Sequence, residues 1–453
     1  MRTSAIAALT AAALIMPFPA FAQEVVAQEP VTQAPATVIA DTPTSATLST
    51  NPEDPAAVTA DNAESLEDII KQDATPTTRD AAPNTDTCPN QISPAPARTT
   101  SEALAPGAAT PTPLPVATVP AGGSLLAGCG VVAPAEFVLP ENLTASSWMV
   151  FDIDSGEIMS TKDPHGRYRP ASIIKVLLGL IAIEELDPTK IVTGTYEAAN
   201  IEGSRVGVGE GGQYTIDQLL HGLLLASGND AAYLLAQELG GDRVTLDKVN
   251  ALAKELGTQD TYAATYSGLD AAGMSTSAYD MSLIYQHAWQ NPKFAQIIST
   301  EYVDFPGWGD NEGFQVWNDN SLFMNDPDGI GGKTGYTDDA NHTFVGGLDR
   351  NGRRLAAVIL DTTIDKGRAW EQARTLIDAS LVIPQGGGIG QLGTQDEQAT
   401  QLPAPTTTAT LAAETPDSAA PASIDFVKVA FPIAAIVLLV IAAILWTFKK
   451  RRR

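Results

Sequence analysis

Apolar residues cluster in three zones of this chain. The first is a short run, AIAALTAAALIMPFPAFA, which follows the basic Arg2 and closes on Ala20-Phe21-Ala22. That is the layout of a secretory signal peptide, so residues 1–22 are expected to be removed after export. The second zone, residues 429–448, has about twenty residues without a charge, the length a helix needs to cross a bilayer. The string KKRRR follows it at once. Residues 427–448 are therefore predicted to form a transmembrane helix, with 449–453 as a basic cytoplasmic tail. The third zone, residues 131–384, is where the pattern turns periodic and where a folded domain is expected.

Within that zone, SWMVFDIDSGEIMSTKD alternates and breaks at Asp154-Ser155-Gly156, a hairpin pattern. The middle carries helical spacing in IIKVLLGLIAIEEL, in TIDQLLHGLLLASGNDAAYLLAQELG and in TSAYDMSLIYQHAW. Strands return in HTFVGGLDRNGRRLAAVILDTT, around the favoured two-residue turn Asn351-Gly352. A last helix is predicted near RAWEQARTLIDASL. Strands at both ends with helices between them give an α+β fold, an antiparallel sheet beside a helical lobe. No internal repeat is present. The flanks differ in kind. Residues 23–130 are rich in Pro, Ala, Thr and acidic residues, and so are residues 385–426. Such segments bury too little apolar surface to offset their ordering entropy, so both are expected to be disordered, apart from one short helix in AESLEDIIKQ. As a flexible chain, the forty or so linker residues would span roughly 35 Å.

Composition narrows the function. The chain has 53 acidic and 27 basic residues, a formal charge of −26. A nucleic-acid binder needs a basic face, so that class is set aside. Two cysteines, Cys88 and Cys129, leave open whether an exported chain would pair them; a bridge would mainly constrain the unfolded state. The string LLAGC before Cys129 has the look of a lipoprotein box but lies far from any signal peptide. His165, His221, His287 and His342 show no metal-ligand spacing, so no metal or cofactor is expected.

The candidate chemistry begins with Lys175, the single charge in the apolar run from Ile173 to Ile183. Ser172 and Lys175 share a face one turn apart, with Pro170 suited to a first helical turn. A helix start favours a nearby anion. Lys175, flanked by Ile174 and Val176, would be desolvated and held toward its neutral form, able to take a proton from a serine hydroxyl. Most lone S-x-x-K matches are merely a lysine snorkelling from an amphipathic helix. Here two further elements follow. Ser227-Gly228-Asn229 lies between two apolar helical runs, whereas the same pattern at Ser49-Thr50-Asn51 lies in the leader. Lys333-Thr334-Gly335-Tyr336 holds the only K-T-G of the chain, with flanking glycines that permit close backbone approach.

Three elements in this order, with S-D-N as the usual second one, are the signature of penicillin-binding proteins and class A β-lactamases. Residues 147–363 resemble the low-molecular-mass D-alanyl-D-alanine carboxypeptidases, the S11 type of serine peptidase. The supporting strings are DIDSGEIM, RPASIIK, YTIDQLL, LLLASGNDAA, YSGLD, STSAYD, NDNSLF and GGKTGYT. The resemblance implies the β-lactamase/penicillin-binding-protein-like transpeptidase fold and assigns roles. Ser172 would be the nucleophile on the D-alanyl-D-alanine bond and Lys175 its base. Ser227 would relay a proton to the leaving amine, and Asn229 would bond the substrate backbone. Lys333, Thr334 and Gly335 would hold the terminal carboxylate, and the backbone N–H groups of Ser172 and Tyr336 would form an oxyanion hole. The implied partners are peptidoglycan stem peptides, β-lactams as covalent inhibitors, and membrane lipid around the C-terminal helix, with the domain on the cell-wall side. Asn318 and Asn320 are read as shaping the cleft floor, and Asp280 with Ser275-Thr276 as a helix start.

Two alternatives are weighed. A class A β-lactamase needs an E-x-x-x-N loop, but Glu238, Glu255, Glu301 and Glu312 are followed four residues on by Asp242, Gln259, Phe305 and Val316. A non-catalytic wall-binding module would not need an intact serine and lysine set. The leader and the membrane helix depart from the family's usual layout, as does the lack of a second, β-rich domain. The balance of carboxypeptidase and endopeptidase action is not legible.

Overall fold

A computed structural model of the chain describes residues 77–393. Its centre is an antiparallel sheet whose strands lie in the order Val131–Val132, Glu157–Lys162, Ser147–Asp152, Arg353–Thr362, Asn341–Arg350 and Gly329–Thr337. The first and last parts of the domain thus meet at the middle of the sheet, where Ser147–Asp152 pairs with Arg353–Thr362. All six residues of Ser147–Asp152 are buried. Trp148 and Val150 face one apolar cluster, which includes Leu376 and Ile377 of the helix Ala369–Ser380. Met149 and Phe151 face the other, with the helical lobe. A strand covered on both faces reads as a near-continuous apolar run. The Asn351-Gly352 turn has φ of 57° and 83°, the positive pair that a tight hairpin turn requires.

The helix Lys175–Glu185 runs through the lobe, with every residue from Lys175 to Ala182 buried. It is apolar on all sides, as a helix enclosed by neighbours must be. The helices Ile216–Leu225, Asn229–Glu238, Asp242–Glu255 and Ala278–Gln290 surround it. Thr215 opens Ile216–Leu225 with a reciprocal capping box to Gln218, and Ser277 caps Ala278–Gln290.

Two expectations are corrected. The leader 23–130 is expected to be disordered apart from one short helix, yet residues 77–130 lie against the domain with almost no regular structure beyond the 3-10 turn Ser124–Ala127. Their order comes from polar anchoring together with burial of Ala121 and Leu126 in the main apolar cluster. Lys162 Nζ donates to the Pro83 carbonyl at 2.6 Å, and both guanidinium nitrogens of Arg79 donate to Asp361. Cys88 and Cys129 form a disulfide. The linker likewise starts later than residue 385. Ile389 donates its N–H to the Ile158 carbonyl, and Gly390–Gln391 pairs with the strand Glu157–Lys162. The predicted signal peptide, the helix in 63–72, the remaining linker and the membrane segment lie outside the described residues. Among the described residues no helix is long and apolar enough to cross a membrane.

Candidate active site

The nucleophile turn is built differently from the helix start expected of it. Ala171 has φ of 48°, and Ala171–Ile174 is a 3-10 turn, so the α-helix begins only at Lys175. A non-glycine residue in the left-handed region costs on the order of 1–3 kcal/mol and persists only where its surroundings enforce it. Three contacts do so. Thr343 Oγ1 donates to the Pro170 carbonyl at 2.8 Å, and Tyr285 Oη donates to the Ile173 carbonyl at 2.9 Å. Gly268, at φ +85°, lies so close that a Cβ there would stand 2.0 Å from the Ala171 carbonyl oxygen.

Lys175 is fully buried. Its Nζ is 2.8 Å from Ser172 Oγ and 2.5 Å from the Ser267 carbonyl. Burial pushes the lysine pKa well below its usual value, and the charge of Lys333 pushes the same way, against the carboxylates of Asp319 and Asp230. The amine is thereby held toward the neutral state, in which it accepts rather than donates a proton.

Ser227 follows the helix Ile216–Leu225, with φ of 60° and 6 % exposure. Gly228 comes next because a Cβ there would meet Asp230 Oδ1 at 2.6 Å and Val206 at 3.1 Å. Asp230 fixes this corner: its carboxylate accepts from the N–H groups of Val206, Gly207, Val208 and Ala231. Asn229 Nδ2 donates to the Glu202 carbonyl at 2.7 Å, while its buried Oδ1 has no partner among the described residues.

The K-T-G strand lies on the other side of the nucleophile turn. A Cβ on Gly335 would be 2.9 Å from the Ser172 nitrogen, so glycine is what lets the two backbones approach. Lys333 is 1 % exposed and its Nζ donates to the Thr334 carbonyl at 3.1 Å; burial lowers its pKa and Asp319 opposes this. Thr334 Oγ1 donates to Asp319 Oδ2 at 2.8 Å, and Lys333 Nζ stands 3.9 Å from the same carboxylate. Asp319 also donates its backbone N–H to the Leu225 carbonyl, tying this group to the end of the helix before Ser227. Beside Thr334 opens a cavity of about 280 Å³, lined by Asp319, Thr343, Phe344, Arg368 and Trp370. Tyr336 is half exposed, its hydroxyl on Asp338 and its ring against His342.

A buried lysine against a serine, an S-x-N corner and a K-T-G strand form one arrangement, and residues 134–363 match the family described as D-alanyl-D-alanine carboxypeptidase. The chain belongs to this family. It is 42 % identical over 265 residues to a D-alanyl-D-alanine carboxypeptidase of Mycobacterium tuberculosis, across 58 % of this chain and 90 % of that one. The crystal structure of a D-alanyl-D-alanine carboxypeptidase from the same organism superposes with a TM-score of 0.55, covering all of that chain and 58 % of this one. A carboxypeptidase of Bacillus subtilis is 30 % identical across 51 % of this chain and 61 % of its own. A DD-transpeptidase of Streptomyces, 22 % identical with a TM-score of 0.51 over 54 % of this chain, shares the fold.

Of the residues singled out in the sequence, Ser172, Lys175, Ser227, Asn229, Lys333, Thr334 and Gly335 lie in these three elements, and Tyr336 follows the last. Sequence reasoning missed Asp319, although it sits between the two asparagines read as cleft floor. Asn318 Nδ2 donates to the carbonyls of Ile298 and Thr300, and its Oδ1 accepts from the Asn320 N–H. Ser267 and Gly268 were also missed as individuals, although the string YSGLD contains both. Asp280 caps the loop at Gln259 and Asp260 from within its helix, away from this chemistry. Among the described residues no cluster of metal-binding side chains is present.

Proposed function

We propose that the chain removes the terminal D-alanine from peptidoglycan stem peptides through an acyl-enzyme on Ser172. The observation that carries this is the buried Lys175 Nζ, 2.8 Å from Ser172 Oγ, with its pKa depressed by burial and by Lys333. Neutral Lys175 takes the hydroxyl proton as Oγ adds to the carbonyl of the penultimate D-alanine. The N–H groups of Ser172 and Tyr336 receive the developing oxyanion; one such donor typically contributes about 3 kcal/mol. Ser227 relays a proton to the leaving amine, D-alanine departs, and water cleaves the ester. Asn229 Oδ1, buried without a partner, is the acceptor for a substrate amide N–H. The terminal carboxylate lies against Lys333 and Thr334, and Arg368, lining the cavity beside Thr334, adds a second cation.

A β-lactam carries the same anionic carboxylate and reactive amide and acylates Ser172 in place of substrate. The apolar segment 429–448 and its basic tail support a single-pass anchor with this domain on the wall side, where trimming stem peptides limits cross-linking. Intact mass of the full chain with benzylpenicillin tests the reading. One adduct that persists for many minutes, absent in Ser172→Ala, together with D-alanine release from a pentapeptide, is the expected result. Rapid return to the free mass with hydrolysed drug makes the protein a β-lactamase. No adduct and no D-alanine release refute the enzyme reading.

A further inference from the structure

In the segment preceding Ser172, His165, Arg167 and Arg169 alternate in sequence with Gly166 and Tyr168; His165 lies in the turn that follows Lys162, and Tyr168 bridges Thr276. His165, Arg167 and Arg169 all engage the N-terminal arm, residues 77–130, all of which precedes the family match at 134. His165 Nε2 is 3.1 Å from the Ala121 carbonyl. Arg167, 1 % exposed, donates to the carbonyls of Ile92, Leu114 and Pro115 at 2.6–2.9 Å. Arg169 donates to the Ala95 carbonyl at 2.9 Å and to Glu102 at 2.8 Å through Nε. The arm has almost no sheet or helix of its own, so its carbonyls need such donors.

The arm also grips the other side of the site. Asp339, just past the K-T-G strand, accepts from the N–H groups of Arg98 and Thr99 and from the hydroxyls of Thr99 and Ser101. Arg98 Nη2 reaches Asn341 at 2.9 Å. Five consecutive arm residues, 98–102, therefore join Arg169, three residues before the nucleophile, to the turn three residues after Tyr336. The disulfide between Cys88 and Cys129 closes a loop around them.

We propose that the arm is a positioning element of the peptidase: through Glu102–Arg169 and its bonds to Asp339, residues 98–102 brace the nucleophile turn against the strand carrying the oxyanion N–H. This rests on the function proposed above. The geometric stakes are large, since a misplacement of about 1 Å at reacting groups can cost on the order of 100-fold in rate. Glu102 and Asp339 touch no reacting atom, so their effect should fall on the acylation step and not on binding of the drug.

The test uses the full chain and the variants Glu102→Ala, Asp339→Ala and their double, with Glu102→Gln and Asp339→Asn as milder replacements. Benzylpenicillin acylation, followed by intact mass across drug concentrations, separates the acylation rate from non-covalent affinity. Hydrogen exchange reads residues 98–102, 168–175 and 334–341, and thermal unfolding checks the fold. The double variant is expected to acylate at least tenfold more slowly with affinity within twofold, and to exchange faster in all three segments. The Gln and Asn variants should recover part of the rate. Faster exchange in 98–102 alone, with the acylation rate within twofold of the parent, overturns the proposal. If the alanine variants fail to unfold cooperatively, the milder pair is judged by the same criteria. A parent that forms no adduct removes the proposed function instead, and exchange at 168–175 and 334–341 then decides the bracing by itself.

Discussion

Asp319→Asn removes one negative charge at nearly constant volume and leaves an amide oxygen to accept from Thr334. The carboxylate stands 3.9 Å from Lys333 Nζ. Two unit charges at that distance interact by about 4 kcal/mol at an effective dielectric constant near 20. Asp319 is 35 % exposed, so solvent screening reduces this to roughly 1–2 kcal/mol. A difference of about 1.4 kcal/mol is a factor of ten, so the ratio of protonated to neutral Lys333 should fall about tenfold at a given pH. The sign follows from the causes. Burial lowers the pKa of Lys333 and of Lys175, and Asp319 raises both; without the carboxylate both fall further. Neutral Lys175 is the proposed base, so the acid limb of the rate profile moves to lower pH. Protonated Lys333 is the proposed carboxylate partner, so the alkaline limb moves to lower pH as well. The bell should shift toward acid as a whole, with acylation weakened at alkaline pH. The assay is the second-order rate of benzylpenicillin acylation by intact mass between about pH 5 and pH 10. Limbs that stay in place, or move toward alkaline pH, would refute the electrostatic coupling.

Two other predictions concern backbone and cross-link. Gly268→Ala places a methyl 2.0 Å from the Ala171 carbonyl at a residue whose φ is +85°. Acylation should fall on the order of 100-fold as the nucleophile turn shifts; a parental rate in a folded variant would show that the turn is not set by Gly268. Replacing Cys88 and Cys129 with serine removes a cross-link spanning 41 residues, for which chain entropy predicts a loss of about 4 kcal/mol in unfolding free energy. Guanidinium denaturation checks this, and an unchanged midpoint would mean that the arm releases before the domain unfolds.

The parts of the molecule legible in the sequence are those where one local pattern and one structural consequence coincide. The run at Ser147–Asp152 is apolar because both faces of that strand are covered, and Asn351-Gly352 turns because both residues sit at positive φ. Lys175 was conspicuous because an ammonium group amid ten apolar or glycine neighbours has to be either neutralised or functional. Asp319 carried no such mark: a carboxylate between two asparagines is ordinary along the chain, and only folding sets it against Lys333 and Thr334.

The arm exposes the more general limit. Its Pro, Ala and Thr composition correctly implies that it cannot form a hydrophobic core, and disorder was inferred from that. The inference fails because apolar burial is not the only source of order. Here the domain supplies the donors, in Arg167 and Arg169, and the acceptor, in Asp339, while the arm supplies unpaired carbonyls, N–H groups and hydroxyls. The legible signal lay on the other partner, in the alternating cations of His165-Gly166-Arg167-Tyr168-Arg169. Buried arginines need several acceptors each; the domain gives Arg167 one, in Asp260, and the arm carbonyls supply the rest. A low-complexity segment beside a folded domain can thus be read for order by asking which buried cations of that domain still lack acceptors.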